Sequence, residues 1–152
     1  RSSFVENLLI RPYTPDDEHE VIRLWFDCGL MVPHNNPRRD IERKLQVNPE
    51  WFLLALLEGE IIGSCMVGYE GHRGWINYLA VSPRYRRQRI AAALMAEAER
   101  LLNAAGCPKI NLQVRETNLE VIKFYEGIGY KNDAVISLGK RLDPDEPYAV
   151  EL

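Results

Sequence analysis

The sequence predicts a single α/β domain with a mixed, mostly antiparallel sheet of about six to seven strands and helices on both faces. Two observations favour this class. Two amphipathic helices precede an antiparallel meander of apolar runs, and the chain then alternates strand, helix, strand, helix, strand. We expect one unit over residues 1–152, with a core at about 8–142 and a loose tail at 143–152.

The first third of the chain is expected to form an edge strand and two helices. Residues 8–13 read as a strand, and Pro12 restricts it to a sheet edge because proline lacks an N–H. Thr14-Pro15 followed by acidic residues predicts a helix start, and apolar residues recur at helical spacing until Gly29. Asn36-Pro37 predicts a second, shorter helix by the same pattern.

The middle of the chain predicts the meander. Residues 51–57 and 61–69 are strand-like runs that a hairpin turn at 58–60 joins, and a third strand ends at Val81. Three neighbouring antiparallel strands are therefore expected at the centre of the sheet.

The second half of the chain alternates between helices and strands. Ile90 opens a long helical pattern, and residues 109–115 read as the strand that follows it. Thr117 or Asn118 caps a further short helix. Residues 130–142 are expected to supply the last strand or hairpin.

Composition and charge disfavour several classes of protein. The net charge of −3 and the pI near 5.7 argue against nucleic acid as the main partner. Cys28, Cys65 and Cys107 form no CxxC pair and the histidines lack metal-ligand spacing, so we expect neither disulfides nor a metal. Without an apolar run near about 18 residues or a signal-peptide pattern, the protein is expected to be cytoplasmic.

Arginines concentrate between the strand that ends at Val81 and the helix that begins at Ile90. The loop contains Arg84, Arg86, Arg87 and Arg89. A strand, a cationic loop and a helix predict an anion site, because the first N–H groups of a helix lack partners and carry the positive end of its dipole. So many arginines favour a polyanion such as a pyrophosphate. The charge run alone, however, favours a solvated basic turn.

This stretch resembles motif A of the GCN5-related N-acetyltransferases (GNAT), in which a Gln/Arg-x-x-Gly-x-Gly/Ala loop grips the pyrophosphate of coenzyme A. The motif falls on residues 86–91, with Arg89 in place of the central glycine. The resemblance implies a coenzyme A loop made of Arg86, Arg87, Gln88, Arg89, Ile90, Ala91 and Ala92. It also implies that the backbone of Leu79, Ala80 and Val81 orients the pantetheine and the thioester carbonyl.

A second stretch matches the C-terminal signature of the same family. Asn118 stands seven positions before Tyr125, and Gly129-Tyr130 follow. The resemblance implies that Asn118 belongs to the coenzyme site and that Tyr125 protonates, or hydrogen-bonds to, the departing thiolate. A tyrosine with a pKa near 10 is a weaker acid than a thiol near 8.5, so the hydrogen bond is the larger part of that role. Without the signature, Tyr125 reads as a core tyrosine on an apolar helix face.

The general base is harder to find. Trp75, Asn77 and Gln113 hold positions near which many relatives carry a glutamate, and none of the three is a base. Glu70 and His72, at the turn into the central strand, are the nearest titratable candidates, and Glu70 is the candidate catalytic residue. A solvated turn explains both residues as well, and a water relay to a distant acid stays open.

The loop between the first two helices is where this fold usually builds its acceptor pocket. His34 and Asn35 in this loop, together with His72, are candidate substrate contacts, and a capped polar turn explains them equally well. Residues 40–44 and 71–74 further resemble the YpeA-type bacterial acetyltransferases. This resemblance does not define the acceptor.

With this resemblance, the sequence is identified as an acyl-CoA-dependent N-acyltransferase of the GNAT fold. We expect it to move an acetyl group from acetyl-CoA, its co-substrate, to a primary amine of a small molecule or peptide, by direct transfer in a ternary complex. No metal, nucleic acid or membrane is expected as a partner, and dimers are common in this fold. The alternatives are a non-catalytic module that binds coenzyme A or a protein, and a nucleic-acid binder, which the acidic net charge disfavours.

Overall fold

The computed structural model describes residues 7–86 and 89–148 of the chain. In this part the chain forms five strands, four α-helices and three short 3-10 turns. The strands and helices follow in the order β1 (Leu8–Pro12), α1 (Glu18–Asp27), α2 (Pro37–Lys44), β2 (Phe52–Leu57), β3 (Glu60–Tyr69), β4 (Gly74–Val81), α3 (Ile90–Ala104), β5 (Ile110–Leu112) and α4 (Leu119–Gly127). Among the described residues, no helix has both the length and the apolar character needed to cross a membrane.

The strands form one sheet in the order β1-β2-β3-β4-β5, in which β4 and β5 run parallel and every other neighbouring pair is antiparallel. Alternate residues of a strand face opposite sides of a sheet. Phe52 and Leu54 of β2 accordingly pack with α1 and α2, whereas Leu53 and Ala55 pack with α3 and α4. The predicted class, a mixed and mostly antiparallel sheet covered by helices on both faces, is confirmed.

The predicted count of six to seven strands is wrong for the described residues, which form five. Residues 130–142, expected as a last strand or hairpin, carry no strand. Their apolar side chains are largely exposed, among them Val135, Ile136 and Leu138. The neighbouring β5 spans only three residues. So short an edge offers few backbone hydrogen bonds to a further strand.

The helix starts follow the predicted cap chemistry. The Asn36 side chain caps α2 by accepting hydrogen bonds from the backbone N–H groups of Arg38 and Arg39. Asn118, rather than Thr117, caps α4, because its side chain accepts from the backbone N–H of Val121. The short polar side chains at these two positions therefore fix where α2 and α4 begin.

Residues 143–148 contact the domain, whereas their acidic composition predicts a loose tail. The side chain of Asp145 is fully covered. It accepts hydrogen bonds from three donors: Arg43 Nη2 at 2.7 Å, Arg141 Nη2 at 2.8 Å and the backbone N–H of Asn36 at 3.0 Å. These bonds, above all the one from Arg43, hold the pKa of Asp145 well below its usual range. The segment docks because the arginines of α2 attract its carboxylates, a contact that composition alone does not reveal.

A β-bulge at Tyr78 interrupts β4. Between Ser64 and Met66 the register of β3 with β4 shifts, and Tyr78 has a φ of +52°. This left-handed conformation costs a residue with a Cβ atom about 1–2 kcal/mol. Two buried hydrogen bonds hold it: Trp25 Nε1 donates to Ser64 Oγ at 2.9 Å, and Ser64 Oγ donates to the Tyr78 carbonyl at 2.7 Å. Side chains from α1 and β3 therefore fix the backbone of β4.

Replacing Ser64 with alanine is expected to lower the free energy of unfolding by about 1–3 kcal/mol, because the buried Trp25 N–H loses its acceptor. Urea denaturation measures the change. Ser82→Ala is the matched control, since the Ser82 hydroxyl makes only an exposed 3.4 Å contact with the Arg84 N–H. Equal losses in the two variants would show that the buried hydrogen bonds do not support the bulge.

Candidate functional site

One edge of β4 is left open along half of its length. β5 pairs with β4 only from Gly74 to Ile76. Beyond Ile76, no strand of the described residues lies on that side of residues 77–81, including the predicted Leu79, Ala80 and Val81. Backbone N–H and C=O groups that lack a strand partner need another one. β5 ends at Leu112, so the backbone edge of β4 at residues 77–81 has no strand beside it among the described residues, and we call this open edge the slot.

The cationic loop lies at the end of this slot. Arg86 Nε donates to the Val81 carbonyl at 3.0 Å, which ties the loop back to the strand. The side chain of Ile90 is buried, so residues 90–92 can meet an anion chiefly through the unpaired N–H groups at the start of α3. Arg86 and Arg89 are exposed beside these groups. Two residues of the predicted loop, Arg87 and Gln88, lie outside the described residues.

Arg89 occupies the N-cap of α3 with a φ of +63° and a ψ of +20°. These are left-handed dihedral angles, which glycine adopts freely and which cost other residues about 1–2 kcal/mol. Arg89 also stands where the motif quoted above carries its central glycine. The backbone conformation that favours glycine at this position is thus kept, and an arginine side chain is added to it.

Tyr125 lies on α4, against the face of the sheet that α3 also covers. Its ring packs edge-on against Phe124 and Tyr130, with centroids 5.1 Å and 5.7 Å away. Burial, together with the nearby thiol of Cys65, raises the pKa of Tyr125 well above its ordinary value. Cys65 is the β3 residue at the register shift, so Tyr125 approaches the sheet at the level of the bulge.

The surroundings of Tyr125 are partly open. It lines a cleft of about 1060 Å³ between β5, α4 and the segment 130–137. Asn118, seven residues earlier, is exposed, and its side chain accepts from the Val121 N–H at 3.4 Å. In this structure Asn118 therefore fixes the start of the helix that carries Tyr125, and its contact with a coenzyme stays a prediction.

Glu70 and His72 lie at the other end of β4. They precede Gly74, and the cationic loop follows Val81, so about 23 Å of strand separates the two ends. The Glu70 carboxylate accepts hydrogen bonds from the backbone N–H groups of Arg73, at 2.8 Å, and His72, at 2.6 Å. These bonds lower the pKa of Glu70, which makes it a weaker base. The structure places Glu70 as a cap of the turn before β4, at the end of the strand away from the cationic loop.

The predicted acceptor residues His34 and Asn35 lie in the loop between α1 and α2, and His34 is exposed. The same face of the sheet carries a pair that the sequence did not single out. The Tyr78 hydroxyl donates to the Asp40 carboxylate of α2 at 2.7 Å. An aromatic residue in an apolar run predicts a buried strand position, so no pattern in the sequence indicates that Tyr78 is a bulge residue facing a carboxylate.

Comparisons with known proteins identify the family. Residues 4–130 match the model of the Acetyltransferase (GNAT) family. The chain belongs to the GNAT family. It is 51% identical over 140 residues to an acetyltransferase of Sodalis glossinidius, which covers 91% of this chain and 99% of that protein. An uncharacterized N-acetyltransferase of Yersinia pestis is 50% identical over 139 residues, with the same two coverages.

A solved structure shows the same fold. AAC(6')-Iy in complex with the bisubstrate analogue CoA-S-monomethyl-acetylneamine superposes with a TM-score of 0.73 at 20% identity, over 89% of this chain and 99% of that chain. The resemblance to GNAT enzymes found in the sequence is thus confirmed, and the protein is an acetyltransferase of this family. Residues 7–86 and 89–148 contain no group of three His, Cys, Asp or Glu side chains arranged to hold a metal ion.

The left-handed backbone at Arg89 predicts an inverted order of stability between two variants. The free energy of unfolding of Arg89→Gly is expected to be about 1 kcal/mol higher than that of Arg89→Ala. Alanine keeps the Cβ atom that is strained at a positive φ, and glycine lacks it. Both variants lose the same charge, so each controls for the other in urea denaturation. Alanine is the more stable of the two in an ordinary helical position, and that order at position 89 would contradict the assigned conformation.

Proposed function

We propose that this GNAT acetyltransferase moves an acetyl group from acetyl-CoA to a primary amine, by direct attack in a ternary complex. The observation that carries the proposal is the open edge of β4, which runs directly into the cationic N-terminus of α3. A backbone-lined slot that ends in positive charge suits a long substrate with an amide-rich arm and an anionic end. Pantetheine followed by a pyrophosphate has this chemistry.

The described residues fit such a substrate. Arg86 and Arg89, with the N–H groups of residues 90–92, would hold the pyrophosphate, and Arg87 and Gln88 complete the motif. The backbone groups of residues 79–81 that lack a partner would bond the pantetheine amides and the thioester carbonyl, whereas the Val81 carbonyl already accepts from Arg86. The bisubstrate analogue bound to AAC(6')-Iy contains coenzyme A, which supports acetyl-CoA as the donor.

The transfer itself needs an oriented thioester and a neutral amine. The amine nitrogen attacks the thioester carbon, a C–N bond forms, and the C–S bond breaks with its electron pair leaving on sulfur. A backbone N–H of residues 79–81 would donate to the carbonyl oxygen while negative charge develops on it. Cys28, Cys65 and Cys107 lie outside both motifs, so no acyl-enzyme step is proposed.

Tyr125 would act on the leaving sulfur. Burial raises the pKa of Tyr125, so its hydroxyl stays protonated and donates a hydrogen bond to the thiolate more readily than it gives up its proton. The amine that has attacked carries a surplus proton, which supplies the final S–H. Tyr125 thereby stabilises charge without changing its own protonation state.

The acceptor is proposed to be an amine on a small molecule or a peptide. The loop with His34 and Asn35 lies between α1 and α2, and His34 is exposed there. The solved relative AAC(6')-Iy, whose bisubstrate analogue joins coenzyme A to an acetylated neamine, supports a small-molecule amine. His72, at the far end of β4, is not included in the proposed acceptor site.

Acetyl-CoA is expected to raise the melting temperature of the protein in a saturable manner. A ligand at about 100 times its Kd stabilises by about 2.7 kcal/mol, which corresponds to several degrees for a domain of this size. Arg86→Glu should weaken the shift, because it places a negative charge beside the pyrophosphate. Arg100→Glu makes the same charge change about 15 Å further along α3 and should keep the shift. The absence of any shift in the wild type would remove acetyl-CoA as the donor.

Tyr125→Phe is expected to slow single-turnover acetyl transfer by about tenfold or more while acetyl-CoA binds normally, because only the transition-state hydrogen bond is lost. Tyr130→Phe, in which the altered hydroxyl instead donates to Glu99 at 2.7 Å, is the control. Since the pKa of Tyr125 is raised, the wild-type rate should not fall through ionisation of Tyr125 as the pH approaches 10. An unchanged rate in Tyr125→Phe would exclude the proposed role.

A further inference from the structure

We propose that Tyr78 and Asp40 form the proton exit for the acceptor amine, with Tyr78 touching the amine and Asp40 receiving the proton. The inference rests on the proposed function, because it supplies the base that an ammonium acceptor needs before it can attack. No sequence motif assigns this role to either residue. It follows from where the bulge of β4 places one side chain.

Tyr78 is held rigidly from two directions. Its ring stacks on Trp25 with centroids 3.9 Å apart and an interplanar angle of 16°. Its backbone carbonyl accepts from the buried Ser64 hydroxyl, and its own hydroxyl donates to Asp40 Oδ2 at 2.7 Å. A side chain locked in this way is suited to meet a reacting group without reorganisation.

The pair lies across the sheet from Tyr125. Tyr78 packs with the core formed by α1 and α2, and Tyr125 packs with the core formed by α3 and α4. Both reach the sheet at the bulge, where the edge of β4 opens. In this proposal, an amine that reaches the thioester from the side of α1 and α2 would meet the Tyr78 hydroxyl on that face of the sheet. The sulfur departs toward Tyr125 on the other face, so attack and departure are served by separate hydroxyl groups.

Several charged groups surround the pair. Arg43 Nη1 donates to the other carboxylate oxygen of Asp40 at 3.1 Å, which holds this carboxylate in place against the Tyr78 hydroxyl. Asp145 and Arg141 are the further charged groups that act on Tyr78. Burial and the bond to Asp40 raise the pKa of Tyr78, so its hydroxyl is neutral and keeps a lone pair free to accept. The Asp40 side chain is 23% exposed, which lets a proton continue to solvent.

The proton balance is complete. The acceptor ammonium passes one proton to the Tyr78 oxygen while the Tyr78 proton moves to Asp40, and Asp40 then releases it to water. The neutral amine attacks the thioester, and its second proton ends on the sulfur of coenzyme A. The products are the acetylated amine, the free thiol and one proton in solution. Tyr78 is restored without a further reactant.

The test compares two small amines as acceptors, with coenzyme A thiol release as the readout. Ethylamine is protonated at neutral pH and must lose a proton first, whereas hydroxylamine is already mostly neutral. In Asp40→Asn and in Tyr78→Phe, the rate with ethylamine should fall by at least about tenfold more than the rate with hydroxylamine. This selective loss should shrink as the pH rises toward the pKa of ethylamine, because solvent then supplies the neutral amine.

Three controls make the outcome decisive. Asp27→Asn removes an exposed carboxylate of α1 that pairs with Arg23, outside the relay, and should leave the ratio of the two rates unchanged. Thermal unfolding verifies that each variant is folded, and Tyr78→Phe keeps the stacked ring if Asp40→Asn is unstable. The acetyl-CoA melting shift should persist in all variants. Equal losses with both amines, or a changed ratio in Asp27→Asn, overturn the inference while the proposed function stands. A wild type that shows no acetyl-CoA shift, or transfers to neither amine, overturns both.

Discussion

The hydrogen-bonded chain from Trp25 through Ser64 to the Tyr78 carbonyl is the constraint on which the functional half of the molecule depends. The Trp25 and Ser64 side chains are fully buried, and an unpaired donor or acceptor there would lower the stability of the fold. By fixing an extra residue in β4, it ends the pairing with β5 and turns the Tyr78 side chain toward α2. The slot, its backbone lining and the Tyr78–Asp40 pair are all consequences of this local geometry.

Two residues with unfavourable backbone angles mark the two ends of the slot. Tyr78 and Arg89 both adopt left-handed conformations, although neither is glycine. Such strain persists only where the surrounding structure determines it, and it concentrates where function requires an unusual shape. At Tyr78 a buried hydrogen-bonded chain supplies that determination, and at Arg89 the start of a 15-residue helix does. Four other non-glycine residues with positive φ, Asn7, Asn48, Glu58 and Ala134, lie in turns and loops, whereas Tyr78 lies within a strand and Arg89 at the start of a long helix.

The framework could be predicted from the sequence because the hydrophobic periodicity and the helix-capping residues are local properties. The hairpin of β2 and β3, the cap at Asn36 and the helix from Ile90 all follow from such signals. Long-range pairing could not be predicted in this way. Residues 130–142 have a strand-like composition but find only a three-residue edge beside them. Glu70 is close to the central strand in sequence, yet strand length places it far from the loop. The Tyr78–Asp40 pair joins residues 38 positions apart, which no local pattern records.

The docking of Asp145 couples the C-terminal segment to α2. Arg43 divides its guanidinium between Asp40 and Asp145, so these two carboxylates compete for the same positive charge. This linkage is reciprocal. Neutralising Asp40 strengthens the ion pair between Arg43 and Asp145, and releasing Asp145 strengthens the ion pair between Arg43 and Asp40. The stability of the docked C-terminal segment and the charge balance of α2 are therefore coupled through Arg43.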